Sequence, residues 1–555
     1  MRQAAVEPRW ADVRVPHAVV LAAAMCLTAF GLILYLARRF DFYYDEWDFV
    51  LGAPHWTLRD YFLPHNEHWS TLPSVIYKTL FLIVGARSYL PFMGAVLVLH
   101  VLTAFLLFLI IRRRSGDMLG LAAAAMMLFL GRGFENILWA FQVGFVGSIV
   151  FGLLAMYLLD SCTTRRLFLL AASASLVLSL ASSGIGLFFC GAVAVDLLLD
   201  GSQRRHLWVL VAPALAYGAW YLQFGLHNAE VHRSPLSLTA VEQLVGYVPL
   251  GIGAAVAGLF ALSLTWGELA LAVLTAGLAL AWYRAGRVDS RVVGAAAGLI
   301  LQFTLTGLVR AQFGDVQAAS PRYVYIGSVF LLLILTDAVR DLPWRGLWRP
   351  ALVAVVVVSI GWNGVHLRQA AANKDVQFAF QKAELRTAWL FRDAPGTDLN
   401  ARIDPVLMPQ VSARAYFQAR EELGSPLPDL TPGGLQGLDP HAVNQAMRNI
   451  MPVRVEPSDP PGRAADCRSG SRGSGADITL TGGTTAVVHS SQPGEVQLST
   501  WVMGDLPDAP AVVQATAADG AVTVAIPDTG QGLAWHLRGQ GSTDAIVTVC
   551  SVRAA

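Results

Sequence analysis

Two short stretches near the N-terminus concentrate side chains that could carry out chemistry. The first is Phe40-Asp41-Phe42-Tyr43-Tyr44-Asp45-Glu46-Trp47-Asp48, and the second is Pro64-His65-Asn66-Glu67-His68-Trp69. The first follows directly on a long apolar run, and a carboxylate at that boundary can act as general base toward an attacking hydroxyl. Polar side chains clustered at the end of a membrane-spanning segment cost free energy unless they have a function. We therefore interpret these stretches as a candidate active site. The alternative is a solvated loop with interfacial aromatics.

The same stretches could also hold a divalent cation. Glu46, His65, Glu67 and His68 offer carboxylate and imidazole groups, which are suitable ligands for Mn²⁺ or Zn²⁺. The cofactor expected on this hypothesis is a divalent cation, Mg²⁺ or Mn²⁺. Their spacing matches no diagnostic metal motif. One hypothesis is therefore that these four residues bind a cation. The other is that the two histidines only form hydrogen bonds in a solvated loop.

Charged residues in later loops could bind an anionic leaving group. Arginine presents a fork of donors that suits a phosphate. We predict that Arg322 and Arg310 bind phosphate, with Lys78 and Arg132 behind them, and that Glu135 is a further catalytic acid. The alternative for Arg322 is that its side chain merely extends to the interface at a helix end.

The overall composition is that of a membrane protein. The chain has 555 residues, of which 55% are hydrophobic and only 14% charged, and its mean hydropathy is +0.50. A net charge of +1 argues neither for nor against a polyanionic partner. We expect no nucleic-acid partner. The sequence contains no glycine-rich turn of the dinucleotide-binding type.

Apolar runs predict a mainly α, polytopic fold with about 11 transmembrane helices. The runs are 15–37, 90–111, 118–130, 142–159, 167–181, 185–199, 207–224, 268–283, 292–308, 323–339 and 351–365. The run 70–85 is interpreted as an interfacial helix, and 238–264 as re-entrant or interfacial. The Lys and Arg residues of the short loops then predict a cytoplasmic N-terminus and an extracytoplasmic C-terminal region. We expect a multi-pass protein of the plasma or inner membrane.

The chain divides into three predicted domains. Residues 1–365 form a transmembrane domain with an outer loop at 41–89, and residues 366–452 form a helical connector. Short alternating runs punctuated by Gly, Pro and Asp predict a small β-sandwich over 453–555. The C-terminal region is thus an α+β region ending in a sandwich. If it is extracytoplasmic, Cys467 near its start and Cys550 near its end could form a disulfide, which we expect to link the two edges of the sandwich.

The order of these elements resembles the glycosyltransferase C superfamily, in particular the branch of protein O-mannosyltransferases and aminoarabinose transferases. Tyr44-Asp45-Glu46-Trp47 is similar to the family's Asp-Glu pair, and the helix after His68 resembles its His-led helix. Glu135 parallels an acid of the second outer loop, and Arg322-Tyr323 resembles an Arg-Tyr pair that opens a late span. The predicted topology also fits that branch.

The resemblance implies roles for individual residues. Family members transfer a sugar from a polyprenyl phosphate on the outer face of the membrane. Asp45 would be the catalytic base, Glu46 would support it or a metal, and Arg322 would contact the lipid phosphate. Two features depart from the family's pattern: Trp69-Ser70-Thr71 stand between the histidine and Pro73, and no inserted soluble repeats follow a middle span. The class of acceptor therefore stays open.

Three functions of different classes compete. The first is a glycosyltransferase of cell-envelope biogenesis that moves a sugar from a polyprenyl-phosphate donor to a glycan, lipid or protein acceptor. The second is a transporter or flippase of lipid-linked sugars, which would hide its charges at the membrane midplane within broken helices. The third is a non-catalytic scaffold. Charges concentrated at the ends of spans favour the enzyme.

Overall fold

The computed structural model describes residues 9–161, 165–227, 238–286, 288–342, 346–457, 464–470, 475–492, 494–504, 512–517, 521–541 and 545–552. The helices are α1 (Ala18–Leu36), α2 (Glu46–Gly52), α3 (Thr71–Val84), α4 (Leu90–Ser115), α5 (Asp117–Leu128), α6 (Glu135–Leu138), α7 (Val143–Ser161), α8 (Arg166–Ser182), α9 (Gly186–Leu199), α10 (Val211–Gln223), α11 (Leu238–Leu259), α12 (Leu264–Ala285), α13 (Ser290–Arg310), α14 (Pro321–Val339), α15 (Trp348–Leu390), α16 (Ala413–Leu423) and α17 (Pro440–Ile450).

The strands are fewer and, except for the first two, lie in the C-terminal region. They are β1 (Pro64–His65), β2 (His68–Trp69), β3 (Arg454–Pro457), β4 (Ala464–Ser469), β5 (Ala476–Thr481), β6 (Thr485–Ser490), β7 (Gly494–Trp501), β8 (Val512–Ala517), β9 (Ala521–Ala525), β10 (Ala534–Gln540) and β11 (Val547–Val552). The chain is thus a multi-pass membrane protein with a C-terminal β region, as predicted.

Among the described residues, 8 helices are long and apolar enough to cross a membrane: α1, α4, α7 with the turn before it, α11, α12, α13, α14 and α15. Four shorter apolar helices, α3, α5, α8 and α9, accompany them. The predicted interfacial helix at 70–85 is the 14-residue α3. The exact number of spans stays a prediction, because a 12-residue helix such as α5 is shorter than the hydrocarbon core.

The stretch 238–264, predicted to be re-entrant or interfacial, is helical along most of its length. It contains the continuous helix α11, which is 22 residues long and is followed directly by α12. Pro249 lies inside α11 without ending it. The re-entrant interpretation depended on keeping basic loops on one side of the membrane, and the helix itself is long enough to cross. The sidedness of the termini therefore stays a prediction.

The chain forms two compact units, each assembled from separate stretches of sequence. The first unit comprises Met1–Phe40, His55–Ile83 and Leu90–Lys374, and the second comprises Asp41–Pro54, Val84–Tyr89 and Asp375–Ala555. The helix α15 begins in the first and ends in the second. The predicted domain boundaries at 365 and 452 stay predictions.

The first unit is a bundle of apolar helices with a few internal polar ties. Gly152 of α7 meets the ring of Phe189 of α9 so closely that an added β carbon would lie 2.2 Å from that ring. His100 of α4 forms hydrogen bonds with the Tyr325 hydroxyl, at 2.8 Å, and with the Leu128 carbonyl, at 3.2 Å. These bonds join α4, α5 and α14, and buried polar groups of this kind are tolerated because each has a partner.

The second unit ends in two antiparallel sheets. One has the strand order β5-β10-β7-β8 and the other β3-β9-β6-β11-β4. Burial alternates along β5, where Ala476, Ile478 and Leu480 are buried and the residues between them are exposed, because one face of the sheet is covered. Gly539 of β10 lies where the sheets approach: an added β carbon would be 2.7 Å from a methyl group of Val488 in β6. The predicted sandwich is therefore present.

Cys467 and Cys550 form the disulfide that their positions allowed. They are directly paired residues of the neighbouring strands β4 and β11, so the bond closes one side of a single sheet. The expectation that it would link the two edges of the sandwich is wrong.

Candidate functional site

The first cluster of site residues is built on a two-residue hairpin. β1 and β2 pair antiparallel, with Pro64 opposite Trp69 and His65 opposite His68. Asn66 adopts a left-handed conformation with φ of +51°, which asparagine tolerates better than most residues. The turn places Glu67 at its tip.

Aromatic side chains fix this hairpin on the helical bundle. The Trp69 ring stacks on Trp220 of α10 with a centroid distance of 5.5 Å, and the Trp220 indole N–H donates to the Phe62 carbonyl at 2.8 Å. His65 and His68 each meet the edge of a phenylalanine, Phe141 and Phe145, at 5.1 Å. The hairpin is therefore fixed both by Trp69, through Trp220, and by its two histidines, through Phe141 and Phe145.

Glu67 forms an ion pair with Arg310, the last residue of α13, and both side chains are partly buried. The carboxylate of Glu67 therefore orients the guanidinium of Arg310, in the part of the chain predicted to bind phosphate.

A second ion pair lies at the start of α14. Arg322 is placed there by Pro321, whose fixed φ suits the first position of a helix. Its Nε lies 3.3 Å from a carboxylate oxygen of Glu135 and 3.3 Å from the Ser320 hydroxyl. Glu135 begins the short helix α6, after the Gly131-Arg132-Gly133 turn. The predicted acid and the predicted phosphate ligand are thus direct neighbours.

Arg310 and Arg322 act on the same histidine. Burial lowers the pKa of His68, Glu67 opposes that change, and the two guanidinium groups lower the pKa further. Burial also lowers the pKa of His65, to about 4. Both imidazoles are therefore neutral at pH 7, and the local positive charge comes from the arginines.

Glu67 remains ionised despite its environment. Burial alone would raise the pKa of its carboxyl group, but His68, Arg310 and local hydrogen bonds outweigh that effect, and the pKa is lowered. The first unit thus brings together two arginines, two carboxylates and a neutral histidine.

The other two predicted cations are placed less specifically. Lys78 is partly buried on α3. Arg132 is exposed, and its backbone N–H donates to the Asn363 side chain at 3.1 Å. Their roles in phosphate binding stay predictions.

The acidic pair Asp45-Glu46 belongs to the second unit, and its two members differ sharply in environment. Asp45 is the residue before α2 and is partly buried, and its side chain makes no capping hydrogen bond to that helix. Glu46 is 0% exposed, and its carboxylate accepts hydrogen bonds from the Tyr89 hydroxyl, at 3.0 and 3.1 Å, and from the Tyr43 backbone N–H, at 3.0 Å.

Asp41 is a further buried carboxyl group of this loop. It lines a small cavity of the second unit together with Trp47, Tyr416 and Arg420. Burial raises the pKa of Asp41 to about 6, although Lys382 and the Phe42 N–H lower it in part. Sequence reasoning assigned no role to this residue.

The predicted metal set does not assemble. Within the described ranges, no three His, Cys, Asp or Glu side chains are grouped so that they could hold a metal ion. Glu67 is engaged by Arg310, and the buried carboxylate of Glu46 is engaged by Tyr89 and Tyr43. The prediction that Glu46, His65, Glu67 and His68 form one metal shell is therefore not supported.

Comparisons with known proteins give a likeness of fold. No protein-family model and no curated protein matches the sequence. A crystal structure of ArnT from Cupriavidus metallidurans bound to undecaprenyl phosphate is similar, with 16% identity, a TM-score of 0.44, and coverage of 77% of this chain and 88% of that one. The apo structure of the same protein gives 14% identity, a TM-score of 0.46, and coverage of 78% and 89%.

The supporting roles of several residues were not predicted from the sequence. Tyr89 directly precedes α4, and its hydroxyl contacts Glu46. Gln377 and Gln381 lie one helical turn apart on α15 and contact the loop that carries Asp45. The spacing i, i+4 of two glutamines in a helical segment was the available signal, but nothing in the sequence indicated which surface they face.

Proposed function

We propose that this protein is a membrane glycosyltransferase that transfers a sugar from a polyprenyl-phosphate donor to an acceptor on the extracytoplasmic side. The observation that carries the proposal is a pair of arginines at two helix ends, Arg310 of α13 and Arg322 of α14, each held in an ion pair by a carboxylate. A departing phosphate needs cationic donors, and the first turn of α14 adds a helix N-terminus that favours an anion.

The reaction would be a direct displacement. An acceptor hydroxyl attacks the anomeric carbon of the donor sugar while Asp45 takes the hydroxyl proton. The bond between that carbon and the phosphate oxygen breaks, and the polyprenyl phosphate leaves with the electron pair. Arg322 and Arg310 would neutralise the charge that develops on the phosphate.

Glu67 and Glu135 fit a supporting role in this scheme. Each carboxylate is paired with one of the two arginines, so it orients the guanidinium when no phosphate is bound. A requirement for a divalent cation stays a prediction. It is checked by turnover after chelation, where a loss that Mg²⁺ or Mn²⁺ restores would support it and undiminished turnover would contradict it.

The test compares membranes with and without the gene. The proposal expects the deletion strain to accumulate one polyprenyl-phosphate sugar and to lack one sugar residue of an envelope glycan, lipid or protein. Wild-type protein should reverse both changes, and an Asp45→Asn variant present in equal amount should reverse neither. A lipid-linked sugar that accumulates on the cytoplasmic side alone would favour a flippase instead. The carrier to assay first is undecaprenyl phosphate, the lipid named for one ArnT structure.

A further inference from the structure

The loop that carries Asp45 contains a backbone conformation that needs support. Tyr44 has a φ of +50°, in the left-handed region where a β carbon is unfavourable. Such conformations persist where the surrounding structure over-determines them, and they cluster at functional sites. Asp45 follows Tyr44 directly and leads into α2, so the conformation of Tyr44 sets the direction of the Asp45 side chain.

The buried carboxylate of Glu46 holds the loop from one side. It reaches back across Tyr44 and Asp45 to accept a hydrogen bond from the Tyr43 N–H at 3.0 Å. The Tyr89 hydroxyl donates to both carboxylate oxygens, at 3.0 and 3.1 Å. These hydrogen bonds offset part of the free-energy cost of burying the Glu46 carboxylate, which is 0% exposed.

The helix α15 holds the same loop from the other side. The Gln381 amide donates to the Phe42 carbonyl at 2.6 Å, and the Gln377 amide donates to the Tyr43 hydroxyl at 3.3 Å. The Phe42 ring meets Tyr89 edge-on at 5.1 Å. Tyr89 therefore contacts the loop through its hydroxyl and through its ring.

We propose that Tyr89 is a positioning residue for Asp45. Its hydroxyl fixes the Glu46 carboxylate, Glu46 fixes the Tyr43 N–H, and together they keep Tyr44 in the left-handed conformation that presents Asp45. Glu46 is then a buried anchor of the loop, and neither a second base nor a metal ligand. The catalytic consequence rests on the proposed function, whereas the structural role of Tyr89 does not.

The first measurement is hydrogen exchange of the full-length protein in lipid nanodiscs. Tyr89→Phe removes only the hydroxyl, and we expect the amides of residues 42–48 to exchange about tenfold to a hundredfold faster, because a hydrogen bond to a charged group is lost. The matched control is Tyr325→Phe, which removes another buried hydroxyl, the one bonded to His100 in the first unit. This control should leave exchange at 42–48 unchanged.

The second measurement tests the strain itself. Asparagine tolerates the left-handed conformation better than tyrosine does, so adding Tyr44→Asn to Tyr89→Phe should slow exchange at 42–48 again by about fivefold or more. Should Tyr89→Phe fail to fold, Glu46→Gln serves in its place, because the amide oxygen keeps one acceptor but loses the charge. A smaller acceleration at the same amides is expected for it.

The third measurement is the kinetics of sugar transfer. Tyr89→Phe should lower kcat by about tenfold and leave the KM for the lipid donor unchanged, because Asp45 is misdirected while the arginines are intact. Unchanged exchange at 42–48 in Tyr89→Phe, or equal acceleration in Tyr325→Phe, overturns the inference whatever the activity. The expected exchange pattern in a wild-type protein that transfers no sugar refutes the proposed function and leaves Tyr89 as the anchor of the loop.

Discussion

The Nε atom of Arg322 lies 3.3 Å from a carboxylate oxygen of Glu135. This ion pair links the first turn of α14 to the start of α6, two elements far apart in the sequence. Both side chains are about one-quarter to one-third exposed, so the pair is reachable by a ligand and is only moderately stabilising. A phosphate that binds Arg322 must compete with Glu135.

That competition predicts opposite effects for two substitutions. Arg322→Gln should weaken the binding of undecaprenyl phosphate by about tenfold or more, because a charge-assisted contact is lost. Glu135→Gln should strengthen it a few-fold, because the competing carboxylate is neutralised. Equilibrium binding in nanodiscs checks both. Arg113→Gln, at the end of α4, is the control, and equal binding by Arg322→Gln and wild type would exclude Arg322 as a phosphate ligand.

The Glu67 carboxyl group predicts a pH dependence of stability. Its folded-state pKa lies below the ordinary value of 4.5, so its favourable contribution is full above pH 4.5 and is lost as pH falls through the lowered pKa. Melting temperatures of the wild type should fall more steeply below pH 4.5 than those of Glu67→Gln. At pH 7 the variant should be the less stable of the two, and parallel pH profiles would contradict the role of the Glu67–Arg310 pair.

The apolar runs predicted much of the fold because hydrophobic length is a local property of the sequence. The bounds of α4 and α14 lie close to the predicted ones, and the Cys467–Cys550 pair was indicated by its position at the two ends of one region. Loop charges indicate sidedness and not helix length, so the sequence did not predict that a Gly-rich segment with Pro249 forms one continuous helix, α11. Whether α11 crosses the membrane stays a prediction.

The sequence indicated which types of residue form the candidate site, but not which of these residues contact each other. Nothing local to Glu67 indicates that its partner is Arg310, which lies 243 positions further along the chain. The sequence likewise presents Asp45 and Glu46 as equivalent acids, whereas the structure buries only Glu46 completely. Glu46 accepts a hydrogen bond from Tyr89, 43 positions away, and such long-range contacts are set by tertiary packing.

We expect replacement of the buried Asp41 by asparagine to stabilise the protein at pH 7. Its folded-state pKa of about 6 exceeds the ordinary value of 3.8, so its contribution is most favourable below about pH 4 and is lost as pH rises through 6. The difference between these two pKa values corresponds to a destabilisation of the folded state by about 3 kcal/mol at pH 7. Asp41→Asn keeps the acceptor for the Phe42 N–H, at 2.9 Å in the wild type, and cannot ionise.

The melting temperature of Asp41→Asn should therefore exceed that of the wild type at pH 7 and match it near pH 4. The exposed Asp393 supplies the control, since Asp393→Asn removes a carboxylate that is not buried. A variant that is less stable than the wild type at pH 7 would show that the ionised Asp41 has a stabilising partner.

Asp45→Asn predicts the loss of sugar transfer with the fold intact. The amide has nearly the same shape as the carboxylate but cannot accept the proton of the acceptor hydroxyl, and removing a general base typically costs about a hundredfold to ten-thousandfold in rate. Asp48→Asn is the matched control, because it makes the same change one turn further along α2.

We expect Asp45→Asn to bind undecaprenyl phosphate and to melt like the wild type, while its kcat falls at least a hundredfold. Asp48→Asn should retain activity. Full activity of Asp45→Asn would remove Asp45 from the role of base, and equal losses in both variants would indicate that the charge of the loop matters and not the position of one carboxylate.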